Sequence, residues 1–198
     1  MIRPGDPRVV EAVAGDRGAV TATLTAAFAD DPAVRWLYPG DALYRRAFPA
    51  FVAAYGGAAF SVGIVDRTAD DSGAALWLLP GTGIDDGPLV AWLRATVPAE
   101  RQPGLFAGYA ELAALHPRER HWYLPFIGVR PEAQGRGIGA ALMRRCLARI
   151  DRTGLPACLE ATSLRNVGFY RRFGFAVTAR IERPDYPLVV AMRRPGAL

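Results

Sequence analysis

Apolar positions recur along the chain at two periods, and the switches between them predict its elements. Val9–Ala14 reads as a first strand. Asp16 is placed to cap a helix running to about Ala29, and Asp30-Asp31-Pro32 ends it because the residue before a proline avoids the helical region. Leu43, Ala47, Phe51 and Ala54 form the apolar stripe of a second helix over Ala42–Gly56. Ser61–Arg67 and Ala74–Leu79 predict two strands joined by the turn residues Asp70-Asp71-Ser72-Gly73, followed by a loop over Pro80–Pro88. Helices are expected over Leu89–Thr96 and Gly104–Leu115. A strand over Trp122–Val129, a helix over Gly137–Asp151 and a strand over Ala157–Thr162 come next. The helix Asn166–Phe173 and the strands Ala176–Ile181 and Pro187–Met192 complete an α/β (α+β) pattern with a mixed sheet.

Composition narrows this picture. A length of 198 residues suits one domain over 1–198. No apolar run reaches the length of a membrane span, so no membrane partner is expected. Met1–Pro7 has no apolar stretch of the signal-peptide kind and is expected to be a short loose tail. Cys146 and Cys158 are then expected to be free thiols in a cytoplasmic protein. Cys146 continues the apolar face of Ile138, Ala141, Leu142 and Ile150, which gives it a packing role.

Charge is divided unevenly. Residues 1–117 carry nine arginines against thirteen acids, and residues 118–198 carry fifteen arginines against six acids. A basic second half suits a phosphorylated ligand, and an acidic first half suits a cationic amine. Basic and aromatic residues do not alternate as in a nucleic-acid groove, so no nucleic acid is expected. A metal is not expected either.

The chemistry is concentrated after the Trp122–Val129 strand. Gln134-Gly135-Arg136-Gly137-Ile138-Gly139-Ala140 opens a helix with three alternating glycines. Glycines there let the backbone approach a ligand, and a helix N-terminus presents unpaired N–H groups and partial positive charge to a phosphate. Gly135-x-Gly137-x-x-Ala140 also satisfies the dinucleotide fingerprint, with Glu160 about twenty residues on. Against a dinucleotide stand the five residues Arg130 to Gln134 between strand and first glycine, and the few residues left for a second half-sheet.

Gln134-Gly135-Arg136-Gly137-Ile138-Gly139 resembles the Q/R-x-x-G-x-G/A signature of the GNAT acetyltransferases. The segment Leu159–Phe175, with Asn166 and Phe169-Tyr170-Arg171-Arg172-Phe173-Gly174-Phe175, resembles the closing half of that family's core. Further likeness, in Ala26–Arg35, Trp122-Tyr123-Leu124 and the ending Met192–Ala197, is to a branch that acetylates an aminonucleoside. The resemblance implies the GNAT fold: a mixed central sheet flanked by helices, splayed in a V between its fourth and fifth strands. It implies acetyl-coenzyme A (acetyl-CoA) as cofactor and a small-molecule amine as partner, in a monomer or homodimer.

The resemblance also implies roles. The backbone of Ile127, Gly128 and Val129 would pair with the pantetheine arm, the N–H groups of Gly135, Arg136, Gly137, Ile138, Gly139 and Ala140 would hold the pyrophosphate, with Arg136 adding charge, and Arg130 and Gln134 would also contact the cofactor. An N–H at Phe126 or Ile127, beside the non-donating Pro125, would hold the thioester oxygen. Tyr170 would serve the leaving thiolate and Asn166 the pantetheine arm, unless Asn166 only caps its helix. Glu160, in an apolar strand, is the first candidate for the base that deprotonates the amine, with His121 and His116 next. Asp30, Asp31, Trp36, Tyr38, Trp122 and Tyr123 are the candidate acceptor pocket, supplying acids for an ammonium and rings for stacking. Acetylation of a protein N-terminus or lysine remains an alternative, as does a nucleotide-binding module.

Overall fold

In the computed structural model, which describes residues 7–82 and 86–197, the apolar segments pair into one sheet. Its strands are β1 (Val9–Glu11), β2 (Gly63–Thr68), β3 (Gly73–Leu78), β4 (Trp122–Val129), β5 (Ala157–Ala161), β6 (Ala176–Arg183) and β7 (Tyr186–Arg194). Their order across the sheet is β1-β2-β3-β4-β5-β7-β6. Among these pairs only β4 and β5 run parallel. The helices are α1 (Arg17–Ala27), α2 (Pro32–Leu37), α3 (Asp41–Gly56), α4 (Ala59–Val62), α5 (Asp86–Thr96), α6 (Gln102–Leu115), α7 (Ile138–Ile150) and α8 (Leu164–Arg171).

Alternation along the strands sends successive side chains to opposite faces. Trp77 of β3 packs against Leu142, Met143 and Cys146 of α7, whereas its neighbours Leu76 and Leu78 join Leu24 of α1 and Phe48 of α3 on the other side. Each fully buried large side chain contributes about 1.5–3 kcal/mol relative to exposure, so both helical layers are held firmly to the sheet. One charge lies inside the α7 layer. Asp66 of β2 is 0% exposed and faces Arg145 and Arg149, with the Cys146 thiol donating to it at 3.2 Å.

Local departures from the sequence pattern have local causes. Asp16 stands before α1, but its carboxylate accepts from the Val13 N–H at 2.9 Å and pairs with Arg67 instead of capping the helix. β1 is accordingly shorter than expected. Pro32 does follow the end of α1, yet it also opens α2: Asp31 accepts from the N–H groups of Ala33 and Val34, both at 3.0 Å, with proline at the first helical position. Ser61 and Val62 fall in α4, and β2 begins only at Gly63, where a Cβ would sit 2.1 Å from the Trp77 carbonyl oxygen. α8 starts at Leu164 because Ser163, and not Asn166, caps it. The expected tail at 1–6 and the loop residues 83–85 lie outside the described residues.

Candidate active site

The site forms where β4 and β5 part. Their pairs are Trp122–Ala157, Tyr123–Cys158 and Leu124–Leu159, although β4 runs on to Val129. The next residue, Pro125, has no N–H to extend a ladder. On the other edge, β3 stays paired with β4 as far as Val129, but across a bulge: Leu124 and Pro125 together stand opposite Trp77. One edge of Phe126–Val129 is therefore held by β3 while the edge towards β5 has no strand pair among the described residues.

Beyond β4, Arg130 donates from Nε to the Asp71 carbonyl at 2.9 Å and pins the loop to the β2–β3 turn. Gln134 and Arg136 bond back to the carbonyls of Val129 and Glu132, at 3.2 and 2.9 Å. Gly135 and Gly137 both have φ of 78°, which a side chain rarely tolerates, and open space surrounds both. The first bond of α7 runs from the Ala141 N–H to Gly137 O. The N–H groups of Ile138, Gly139 and Ala140 thus have no intrahelical acceptor.

Beside the parting lies a cavity of about 150 Å³. Trp36 of α2, Phe51 and Tyr55 of α3, and Tyr109 and Leu112 of α6 form one wall. Tyr123 to Ile127 of β4, Glu160, Thr162, Asn166 and Tyr170 form the floor, and Tyr186 closes the end, edge-on to Trp36 with centroids 5.5 Å apart. Glu160 is the principal charge within it, its side chain 11% exposed. Its carboxylate receives the Tyr123 hydroxyl and lies 3.2 Å from His116 Nε2. The Tyr123 and Tyr55 hydroxyls are 2.6 Å apart.

These surroundings fix proton positions. The bond to Glu160 raises the His116 pKa, outweighing burial, which lowers it. Burial pushes the phenols of Tyr55 and Tyr123 well above their ordinary range, and the Glu160 charge adds to this. Burial likewise raises Tyr170, helped by Asp31 and Glu160. Burial carries Tyr186 up to about 12. All four are therefore proton-bearing donors near neutrality.

Eight of the residues singled out in the sequence meet at this cavity: Trp36, Tyr123, Pro125, Phe126, Ile127, Glu160, Asn166 and Tyr170. Five of the acceptor-pocket and base candidates go elsewhere. Trp122 neighbours Tyr123 on a strand and so faces the α7 side, where its Nε1 donates to Thr153 Oγ1 at 3.0 Å. Tyr38 is wholly buried among core rings, edge-on to Phe51. Asp30 lines a separate open groove between α1 and α3. Asp31 is taken up by the α2 cap and by the Thr162 hydroxyl, one bond from the cavity. His121 lies outside, its Nδ1 2.8 Å from the Glu119 carbonyl.

The sequence reading missed Tyr55, Tyr109 and Tyr186. For Tyr109 a signal existed: Leu105, Tyr109, Leu112 and His116 share one helical face. Tyr186 follows a turn and carries no periodic signal.

Comparison with known proteins bears on the family and the fold. Residues 42–175, more than half of the chain, match the model of the acetyltransferase (GNAT) family. An uncharacterised N-acetyltransferase of Schizosaccharomyces pombe is 28% identical over 200 residues, covering 92% of this chain and 81% of the relative. A Corynebacterium glutamicum structure described as histone acetyltransferase HPA2 and related acetyltransferase superposes with a TM-score of 0.68 at 29% identity, over 97% of both chains. Arylalkylamine N-acetyltransferase 2 of Aedes aegypti shares the fold, with a TM-score of 0.67 at 13% identity over 96% of this chain and 99% of that one.

Proposed function

The chain belongs to the GNAT family of acetyltransferases, and on that premise we propose that it moves the acetyl group of acetyl-CoA onto the primary amine of a small molecule. One observation carries this reading: the Glu160 carboxylate and the Tyr170 phenol line the same aromatic cavity, where β4 and β5 separate. The residues present fit the cofactor. The free edge of β4 offers backbone donors and acceptors to an extended arm, and the open glycine loop with the first turn of α7 offers N–H groups to a pyrophosphate.

Within this arrangement each residue has one task. Glu160 takes the proton that an ammonium must lose before its nitrogen can attack. A β4 N–H at Phe126 or Ile127 faces the carbonyl oxygen as charge develops, an interaction worth about 3 kcal/mol in such sites. Tyr170 donates a hydrogen bond to the departing sulfur. Aromatic walls exclude water and stack on an aryl or planar acceptor.

Puromycin is the first specific acceptor to try, which would make this a cytoplasmic antibiotic-inactivating enzyme. Ala26–Arg35, Trp122–Leu124 and Met192–Ala197 resemble the matching segments of puromycin N-acetyltransferase. The cavity sets a condition on it. Its volume of about 150 Å³ is below the roughly 300–1,000 Å³ usual for drug-sized ligands, so puromycin enters only if the cavity widens.

The test is acetyl-CoA-dependent thiol release with puromycin, with a phenylalkylamine and with a peptide bearing a free N-terminus. Release with either small amine, lost by about 100-fold or more in Glu160→Gln, supports the reading. Release with the peptide alone moves the acceptor to proteins, and release unchanged in Glu160→Gln removes Glu160 as the base.

A further inference from the structure

Glu160 is reached from two sides. The acceptor cavity lies on one side, and on the other a surface depression contains His116, Cys158, Glu160 and Arg193. A second depression contains Tyr55, His116, His121 and Tyr123. Hydrogen bonds cross this wall in sequence: Tyr55 of α3 to Tyr123 of β4 at 2.6 Å, Tyr123 to Glu160 of β5, and Glu160 to His116 Nε2 at 3.2 Å. His116 directly follows α6, and its side chain is 31% exposed, against 11% for Glu160. The chain therefore begins inside the cavity and ends at solvent.

We propose that His116 is the proton exit of this site, accepting from Glu160 the proton taken from the amine and releasing it to water. The proposal rests on the reading of Glu160 as the base. In the first step an N–H bond of the acceptor breaks and an O–H bond forms on Glu160. In the second that proton passes to Nε2 of neutral His116, restoring the carboxylate, and the imidazolium loses a proton to solvent. One proton leaves the amine, one reaches water, and no electron changes hands. His116 acts only through Glu160 and is a positioning and relay residue.

Other groups around His116 do not offer the same exit. Arg193 of β7 is paired with Glu119, and Arg118 shares its depression as a fixed cation. Burial pushes the Cys158 thiol up to about 12. The phenols of Tyr55 and Tyr123 are held well above their ordinary range, so Tyr123 donates to Glu160, and Tyr55 pairs with Tyr123, without draining the carboxylate. Tyr109 of α6 lines both the cavity and the second depression. His121, with its ring centroid 5.7 Å from that of His116, contacts a backbone carbonyl and not Glu160.

The test is the pH dependence of kcat in the full chain, in His116→Gln, which keeps an N–H for Glu160 but cannot carry a proton, and in His121→Gln. His116→Gln should lower kcat by roughly tenfold, less than loss of a direct base, with the KM for acetyl-CoA changed by less than about twofold. It should abolish the acidic limb, and added imidazole should restore the rate of His116→Ala. A His116→Gln profile superimposable on wild type overturns the proposal, as does a limb lost only in His121→Gln. If His116→Gln does not fold, an NMR titration of His116 in the wild-type protein decides: its midpoint must coincide with the kinetic limb, and a mismatch overturns the exit. Failure here is separable from failure of the base assignment, because Glu160→Gln loses activity in the first case and keeps it in the second.

Discussion

Replacing Tyr170 by phenylalanine tests what kind of acid the site can supply. The phenol is buried, and the nearby carboxylates of Asp31 and Glu160 add to burial in raising its pKa above the ordinary 10. A thiol titrates near 8.5, so full proton transfer from an unperturbed phenol to a thiolate is already uphill by about 2 kcal/mol. The raised pKa makes it steeper. In the proposed role Tyr170 would therefore act as a hydrogen-bond donor and not as a proton donor. A hydrogen bond to a charged acceptor is worth about 1.5–3 kcal/mol, which converts to a loss of about 10- to 150-fold in kcat. The ring's contacts with Phe169 and Phe175, at centroid distances of 5.3 and 6.2 Å, survive in Tyr170→Phe, so its melting temperature should stay near wild type. Thiol release gives kcat, and calorimetric titration gives acetyl-CoA affinity, expected within about twofold of wild type. Unchanged kcat would refute the placement of Tyr170 at the sulfur. A loss beyond about 10,000-fold, or an alkaline limb that vanishes in the variant, would refute the hydrogen-bond-only role.

Three further outcomes follow from other parts of the molecule. Tyr186→Ala should open the end of the cavity and raise kcat/KM for bulky amines relative to small ones; equal ratios in both proteins would place Tyr186 outside acceptor selection. Asp66→Asn leaves Arg149 facing a buried site without its carboxylate and should cost about 3 kcal/mol, the low end for a broken buried pair because both arginines are partly solvated, read as a lower denaturation midpoint; an unchanged midpoint would mean water replaces the pair. His116 is raised in the folded state, so its protonated form stabilises the fold below its unfolded pKa of about 6.5, and that contribution disappears as pH rises through the folded value. Urea denaturation should thus show His116→Gln less stable than wild type at acidic pH and converging with it at alkaline pH, with a constant gap contradicting the assignment.

Period-two and helical spacing were enough to place all the strands and most helices, because each signal lies within a few residues. The glycine loop was legible for the same reason: Gly135, Gly137 and the start of α7 act as one short backbone unit. The aromatic cavity was not local. Its tyrosines arrive from α3, α6 and β7, and tertiary packing joins them, as where Tyr186 lies so near α6 that a Cβ at Gly108 would sit 2.7 Å from its ring. Trp122 does not line it, because it packs on the α7 side of the sheet and Tyr123 on the other. Asp31 was chosen as an acid for the ammonium, but the helix beginning at Pro32 claims its oxygens first. α2 itself was hidden because Pro32 reads equally as the stop of one helix and the start of another.

The bulge at Pro125 acts like a frameshift in a reading frame. Before it, the even-numbered Trp122 and Leu124 face α7; after it, the odd-numbered Ile127 and Val129 do, while Phe126 turns with Tyr123 towards α3. The two halves of β4 thus obey opposite inside–outside rules, and one surplus residue reconciles them. What position 125 contributes is foremost a count. Replacing its side chain leaves the frame intact, whereas deleting it would bring the apolar face of one half out of phase with the core. Such a strand tolerates changes of letter at its centre far better than changes of length, and any recombination of this chain with a relative must cross β4 with the extra residue preserved.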